Sequence, residues 1–247
     1  MSDQNFSPGG FPLTRNSAIV ALKQGDPEQR KIALARVIEI YRPAVYKYLR
    51  LHWHKDADAA ADLTQSFFLL ALEKEFLADF DPAKARFRTF LRLCLDRFVG
   101  KEHQSASRIK RGGDVQHLST DFDFIERDLV TPRNAQNLSP EELFEQEWIR
   151  NLLSTAVTCL KEIYENSGKS TQFKLFECYD LQSLDSNNKT SYQELAIQYK
   201  ISVETVTNYL AAARRDFRKI VLEQIREMTA NDEEYREEVR SILGVDL

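Results

Sequence analysis

Cysteine, glycine and proline are scarce in this sequence, at 3, 8 and 7 of 247 residues. Three widely spaced cysteines, Cys94, Cys159 and Cys178, do not make a disulfide framework, so a cross-linked secreted scaffold is excluded. Each falls inside an apolar helical pattern and reads as a reduced core thiol. No glycine-rich loop that could cradle a phosphate is present. Long apolar runs are missing as well, and the opening MSDQNFSPGG lacks the basic-then-apolar layout of a signal peptide. The expected setting is therefore cytoplasmic, with no membrane. Alternating strand patterns are absent too, whereas nearly every segment carries the helical period.

Overall charge is close to balanced, with a net of −4, but it is unevenly distributed. From Lys84 to Arg111 there are nine basic residues against Asp96 and Glu102, a local net of +7. From Asp114 to Glu147 nine acids face Arg127 and Arg133, a net of −7. Asymmetry on this scale says more about partners than the total does.

The expected fold is all-α, with two helical domains joined by an acidic linker, the second ending in a helix-turn-helix. Residues 1–15 are polar and carry Pro8, Gly9, Gly10 and Pro12, as a disordered terminus would. The first domain covers 16–113. Its helices are predicted at about 16–24, at 27–51 with Pro43 as a bend or break, at 57–77, and at 85–111. The second of these has Ile32, Leu34, Ala35, Ile38, Tyr41, Val45 and Leu49 as its expected apolar face. The last interleaves aromatics with cations, from Phe87-Arg88-Thr89-Phe90-Leu91-Arg92 onward. Residues 114–138 contain Pro132 and little periodicity, and read as the linker. A second domain, 139–225, opens at Ser139-Pro140-Glu141-Glu142, which combines a capping box with a first-position proline. An acidic amphipathic helix closes the chain within 226–247, with Asn231 as its cap and Gly244 beyond its end.

The most informative stretch is Ser191 to Lys219. Ser191 and Glu194 have capping-box spacing, Lys200-Ile201-Ser202 makes a short turn, and Ser202 is placed to cap the next helix. In that helix Val203, Val206, Leu210, Ala213 and Phe217 recur at core spacing. Glu204, Thr205, Thr207, Asn208 and Ala211 are left outside, followed by Arg214, Arg215, Arg218 and Lys219. A polar helix face with a cationic end suits the major groove of DNA.

Catalytic and metal chemistry find little support. His52 and His54, near Asp56 and Asp58, do not share a helix face and lack a fourth ligand at usual spacing. Cys94 with His103 has no third, orienting residue. The chain is expected to be no enzyme, with no metal and no cofactor.

Taken in order, these motifs resemble bacterial RNA polymerase sigma factors of the extracytoplasmic-function type. Asp62-Leu63-Thr64-Gln65-Ser66-Phe67-Phe68 is similar to the family's polymerase-contacting segment, which implies that Asp62, Gln65 and Ser66 bind the core enzyme. Phe87-Arg88-Thr89-Phe90-Leu91 and the basic helix after it resemble the part that reads and melts the minus-ten element. The resemblance assigns DNA contacts there to Arg88, Phe90, Arg92, Arg97, Lys101, Arg108, Lys110 and Arg111, with the loop 79–86 as the base pocket. The helix-turn-helix resembles the minus-thirty-five module. It implies contacts from Ser202, Glu204, Thr205, Thr207, Asn208 and Tyr209, with Arg214, Arg215 and Arg218 on phosphates. Lys200 stands where the family often has a turn glycine, and Ala211 and Ala212 where it is often basic. The resemblance spans about residues 16–113 and 140–220 and implies core RNA polymerase and promoter DNA as partners, with an anti-sigma factor or other regulator as a further one. The alternatives are a stand-alone helix-turn-helix regulator and a sigma-like adaptor that binds only proteins.

The closing helix presents Tyr235, Val239, Ile242 and Leu243 on one face. It is expected either to dock beside Arg214, Arg215, Arg218 and Lys219 and restrain DNA binding, or to complete a core.

Overall fold

The computed structural model describes residues 17–108, 122, 125, 138–182 and 190–245. Nine α-helices are defined among the described residues, and no strand. They are α1 (Ala18–Gln24), α2 (Pro27–Leu51), α3 (Ala57–Lys74), α4 (Phe87–Arg108), α5 (Pro140–Asn166), α6 (Ser170–Phe176), α7 (Tyr192–Tyr199), α8 (Val203–Glu227) and α9 (Asp232–Leu243). A 3₁₀ turn, Phe76–Asp79, follows α3, and a wider π-type turn, Glu177–Leu181, follows α6. The chain is all-α, as its periodicity requires.

Two compact units emerge: a larger one of Asn16–Leu152 with Ile225–Leu247, and a smaller one holding Leu153–Gln224. This differs from the expected division at 139 and 225. The first half of α5 belongs to the larger unit, because Phe144 and Trp148 are buried against Tyr48 and Tyr41 of α2. The chain's last helix belongs there too.

In the larger unit the helix ends follow local chemistry. Ser17 caps α1 by accepting from the Ile19 and Val20 N–H groups. Asp26 and Gln29 form a reciprocal capping box with Pro27 at the first position of α2. Pro43 lies inside a continuous α2, so of the expected bend or break the break does not occur. An internal proline costs roughly 3 kcal/mol. Here every residue from Ala44 to Leu49 is buried, and that packing holds the helix together across the missing donor. The buried face of α2 also differs from the expected one, since Ile32 and Ala35 are exposed while Ala33, Val37 and Ile40 are buried.

The core is aromatic. Tyr41 stacks on Trp148 at 6.0 Å and meets Phe87 edge-on at 5.6 Å, while Phe80 meets Phe87 edge-on at 5.1 Å. Several polar groups inside this core are paired, whereas Trp148 Nε1 and Arg92 Nε are buried without a hydrogen-bond partner. Asp96 accepts from Tyr48 Oη at 3.0 Å and from Trp53 Nε1 at 3.1 Å, and pairs with Arg92 at 2.7 Å. Buried Lys47 pairs with fully buried Glu147 at 3.4 Å. The predicted acidic linker is tied down at two of its residues. Phe122 and Ile125 are helical and buried, with Phe122 5.0 Å from the Tyr46 ring and beneath Arg42.

In the smaller unit, Phe173, Leu175 and Phe176 of α6 are buried, and Phe176 packs on Phe217 of α8 at 5.5 Å. Tyr164 donates to Asp216 at 2.8 Å, joining α5 to α8. Leu195, Ala196, Val206, Leu210 and Ala213 are buried where α7 and α8 meet the rest of the unit.

Candidate nucleic-acid and polymerase interfaces

The geometry of α7 and α8 starts from two caps and one unfavourable residue. Ser191 accepts from the Glu194 N–H, and the Glu194 carboxylate accepts from the Ser191 N–H at 2.7 Å. The Ser191 N–H and hydroxyl, both donating to the Glu194 carboxylate, hold it below its ordinary value. α7 ends at Lys200, whose φ of 55° places it in the left-handed region. Its N–H donates to Ile197 O and that of Ile201 to Ala196 O, a closure that usually employs glycine. Lys200 therefore carries backbone strain that a glycine at this position would avoid. Ser202 then caps α8 by accepting from the Thr205 N–H at 3.0 Å.

Beyond that cap, α8 presents one continuous exposed face. Glu204, Thr207, Asn208, Ala211, Arg215 and Arg218 are all exposed and fall within an arc of about 100° at helical spacing. Val206, Leu210 and Ala213, on the opposite side, are buried. Four expected contact residues stand elsewhere. The Thr205 hydroxyl is bonded to that of Ser202 at 2.8 Å, which commits both to the cap. Tyr209 is half-buried and lies off the arc. Arg214 is engaged within its own unit. Its guanidinium donates to both Asp180 oxygens, at 2.9 and 3.0 Å, reaches the Tyr192 hydroxyl at 3.5 Å and lies over the Tyr179 ring. Hydrogen bonding to Asp180 raises the Arg214 pKa further. Val203, expected inward, is 44% exposed.

The start of α4 has the opposite character. Arg86 provides the carbonyl that begins the helix, so the Phe87 N–H is one of its unpaired first-turn donors. Glu234 of α9 accepts from it at 3.2 Å and also from the Ala230 N–H at 2.7 Å. Arg88, expected on DNA, is only 5% exposed. Its guanidinium is held between Glu238 of α9 and Glu145 of α5 and stacks on the Trp148 ring at 5.1 Å. Burial disfavours its charge, but the two carboxylates outweigh burial and raise its pKa. Arg88 is thus buried and paired in this structure, whereas the sequence assignment had it on DNA. Arg92 is largely covered and paired with Asp96, and Phe90 is half-buried against Phe80 and Phe87. Arg97 and Lys101 are exposed. Arg108 ends α4, and Lys110 and Arg111 lie outside the described residues. In the expected base-pocket loop, Asp81 closes a turn by accepting from the Ala83 N–H and pairing with Lys84.

On α3 the three expected polymerase-facing residues share one face with two leucines. Ser66 is exposed, Asp62 and Gln65 are half-buried, and Leu69 and Leu72 are 56% and 51% exposed. The two leucines extend the ridge by spacings of three and four, a signal readable in the sequence only once the buried side, Thr64, Phe67, Phe68 and Ala71, is known. The partners at the start of α4 were also missed: Glu145, Trp148 and Glu238 lie 57 to 150 positions from Arg88, and Glu234 lies 147 positions from Phe87, whose N–H it accepts.

Among the described residues no three His, Cys, Asp or Glu side chains converge as a metal site. No helix among them is long and apolar enough to cross a membrane. No family model matches the chain, and neither a curated protein nor a solved structure matches it.

Proposed function

We propose that the chain is a sigma-type initiation factor, which confers promoter recognition on core RNA polymerase and assists strand opening in the cytoplasm. One observation carries the DNA-binding half of this reading, the exposed arc of α8. It sets Asn208 in line with Arg215 and Arg218, so a base-edge donor and phosphate-neutralising cations share one helix face, on which the Thr207 hydroxyl donates to Val203 O at 2.9 Å. Asn208 suits a bidentate contact with adenine. The polymerase half is supported by the α3 ridge, where Ser66 and the exposed Leu69 and Leu72 offer a mixed polar and apolar strip. Two modest DNA modules and one protein contact, acting together, give the avidity such a factor needs.

The test is capture of the tagged chain by core polymerase, followed by run-off transcription from selected promoter fragments. The reading expects capture that Asp62→Ala with Gln65→Ala weakens while helicity stays unchanged, and polymerase-dependent transcripts. The closed start of α4 favours one second reading, a stand-alone regulator that binds duplex DNA through α8 alone. Duplex binding without any polymerase capture would establish that reading instead.

A further inference from the structure

α9 is held in an unusual way for a terminal helix. Its buried residues are Glu234, Glu238 and Val239, so two of the three groups turned to the protein are carboxylates. Tyr235, Ile242 and Leu243, the apolar face the sequence offered, are only half-buried. Three of its acids go to the start of α4, while Asp232 pairs with Arg226. Glu234 takes the Phe87 N–H, Glu237 pairs with Arg86 at 3.4 Å, and Glu238 pairs with Arg88 and reaches Arg86 at 3.7 Å.

These are the groups a nucleic-acid phosphate would use, namely two arginines and a first-turn N–H with no partner inside its own helix, at the positive end of a 22-residue helix. An apolar terminal helix would be held by surface burial, which salt and polyanions barely affect. A carboxylate grip differs. Ion pairs taken out of water contribute little net stability, because desolvation offsets their attraction. Phosphates compete for the same cations, with release of counterions in their favour. Arg88 keeps Glu145 as a partner when Glu238 leaves, so the core does not have to strand a buried charge.

We propose that α9 is a releasable acidic plug, an internal mimic of the nucleic-acid backbone that closes the start of α4 until single-stranded DNA displaces it. This inference rests on the initiation-factor reading and assigns that site its regulation. In the closed form Arg88 is unreachable; with α9 displaced, Arg86 and the first turn of α4 face solvent.

The experiment uses the full chain and a fluorescein-labelled single-stranded oligodeoxynucleotide, followed by anisotropy at low salt. Glu237→Lys sets a like charge against Arg86 at an exposed position, where the fold tolerates change. Glu233→Lys adds the same charge to the same helix at an exposed residue that holds no part of α4. The plug expects Glu237→Lys to bind about tenfold tighter than Glu233→Lys, with a salt slope steeper by about one per cation uncovered. Adding Arg86→Ala to Glu237→Lys should remove that gain. Equal affinities for the two lysine variants, or a gain that survives Arg86→Ala, would overturn the proposal. Glu234→Gln with Glu238→Gln should reproduce the gain without added charge. If that pair loses its helicity, the comparison of the two lysine variants decides alone. Duplex binding, measured in parallel with Arg215→Ala and Arg218→Ala, reports the underlying reading separately. Failure there with a positive plug result rejects the initiation factor and keeps the plug.

Discussion

Arg88 and Arg218 are both arginines in basic, aromatic-flanked helices, and in sequence they invite the same reading. In the fold, Arg88 is enclosed by Glu145, Glu238 and Trp148, whereas Arg218 stands exposed on α8. Arg214, four residues earlier on the same helix, is again committed, to Asp180 and Tyr192. Cation count therefore does not measure how much cationic surface a helix offers. The difference lies in whether acids distant in sequence come to meet it, and in the larger unit they come from two separate helices.

The largest expected effect tests that contrast directly. Arg88→Ala leaves Glu238 buried with its main partner gone, and removing one member of a buried pair costs about 3–5 kcal/mol. Arg218→Ala should change stability by no more than about 0.5 kcal/mol, as surface substitutions usually do. Urea unfolding of the two variants measures both. A similar small change in each would show that Arg88 is less enclosed than its contacts imply.

Next in size is Asn208→Ala. On the DNA-binding reading it should lose about 1–3 kcal/mol of discrimination at one base pair and leave other sequences nearly unaffected. Arg215→Ala should instead weaken all duplexes alike and reduce the salt slope by about one. A binding-selection experiment separates these patterns, and the reverse pattern would exchange the two roles. Tyr209→Phe, off the exposed arc, should change neither.

A smaller effect concerns the turn that sets the angle between α7 and α8. A non-glycine residue in the left-handed region costs roughly 1–2 kcal/mol, part of which glycine's own flexibility gives back. Lys200→Gly should therefore stabilise the smaller unit by about 0.5–1 kcal/mol, read as a higher melting temperature. A destabilised variant would mean that the lysine side chain contributes more than its backbone angle costs.

The smallest effect is in pH. Burial pushes the Glu234 carboxyl above its ordinary range, against the N–H groups of Ala230 and Phe87 that favour its charged form. Nearby Glu238 raises it further and Arg88 lowers it. An acid with a raised folded-state value binds more protons folded than unfolded. Its contribution is fully present below the ordinary glutamate range and is lost as pH rises through the raised value. The stability of the wild type relative to Glu234→Gln should thus fall as pH climbs above about 4.5. Urea midpoints of both proteins across that range give the difference, and a flat difference would place Glu234 in a solvent-like setting.

Local chemistry alone determined much of this protein. Helical periodicity fixed the all-α class, and short-range caps fixed where helices start: Asp26 before Pro27, Ser139 before Pro140, Ser191 before Tyr192, Asn231 before Asp232. These are contacts between residues about three apart, so the sequence contains both partners side by side. The exposed arc of α8 from Glu204 to Arg218 was legible as well, because strong periodicity separates it from Val206, Leu210 and Ala213. Tertiary structure decided what local rules could not reach. Packing around Ala44–Leu49 carried α2 through Pro43, and aromatic contacts moved the first half of α5 into the larger unit. The fate of each cation was decided in the same way. Whether an arginine is a phosphate contact or a core residue depends on acids up to 150 positions away, and no local pattern encodes that meeting.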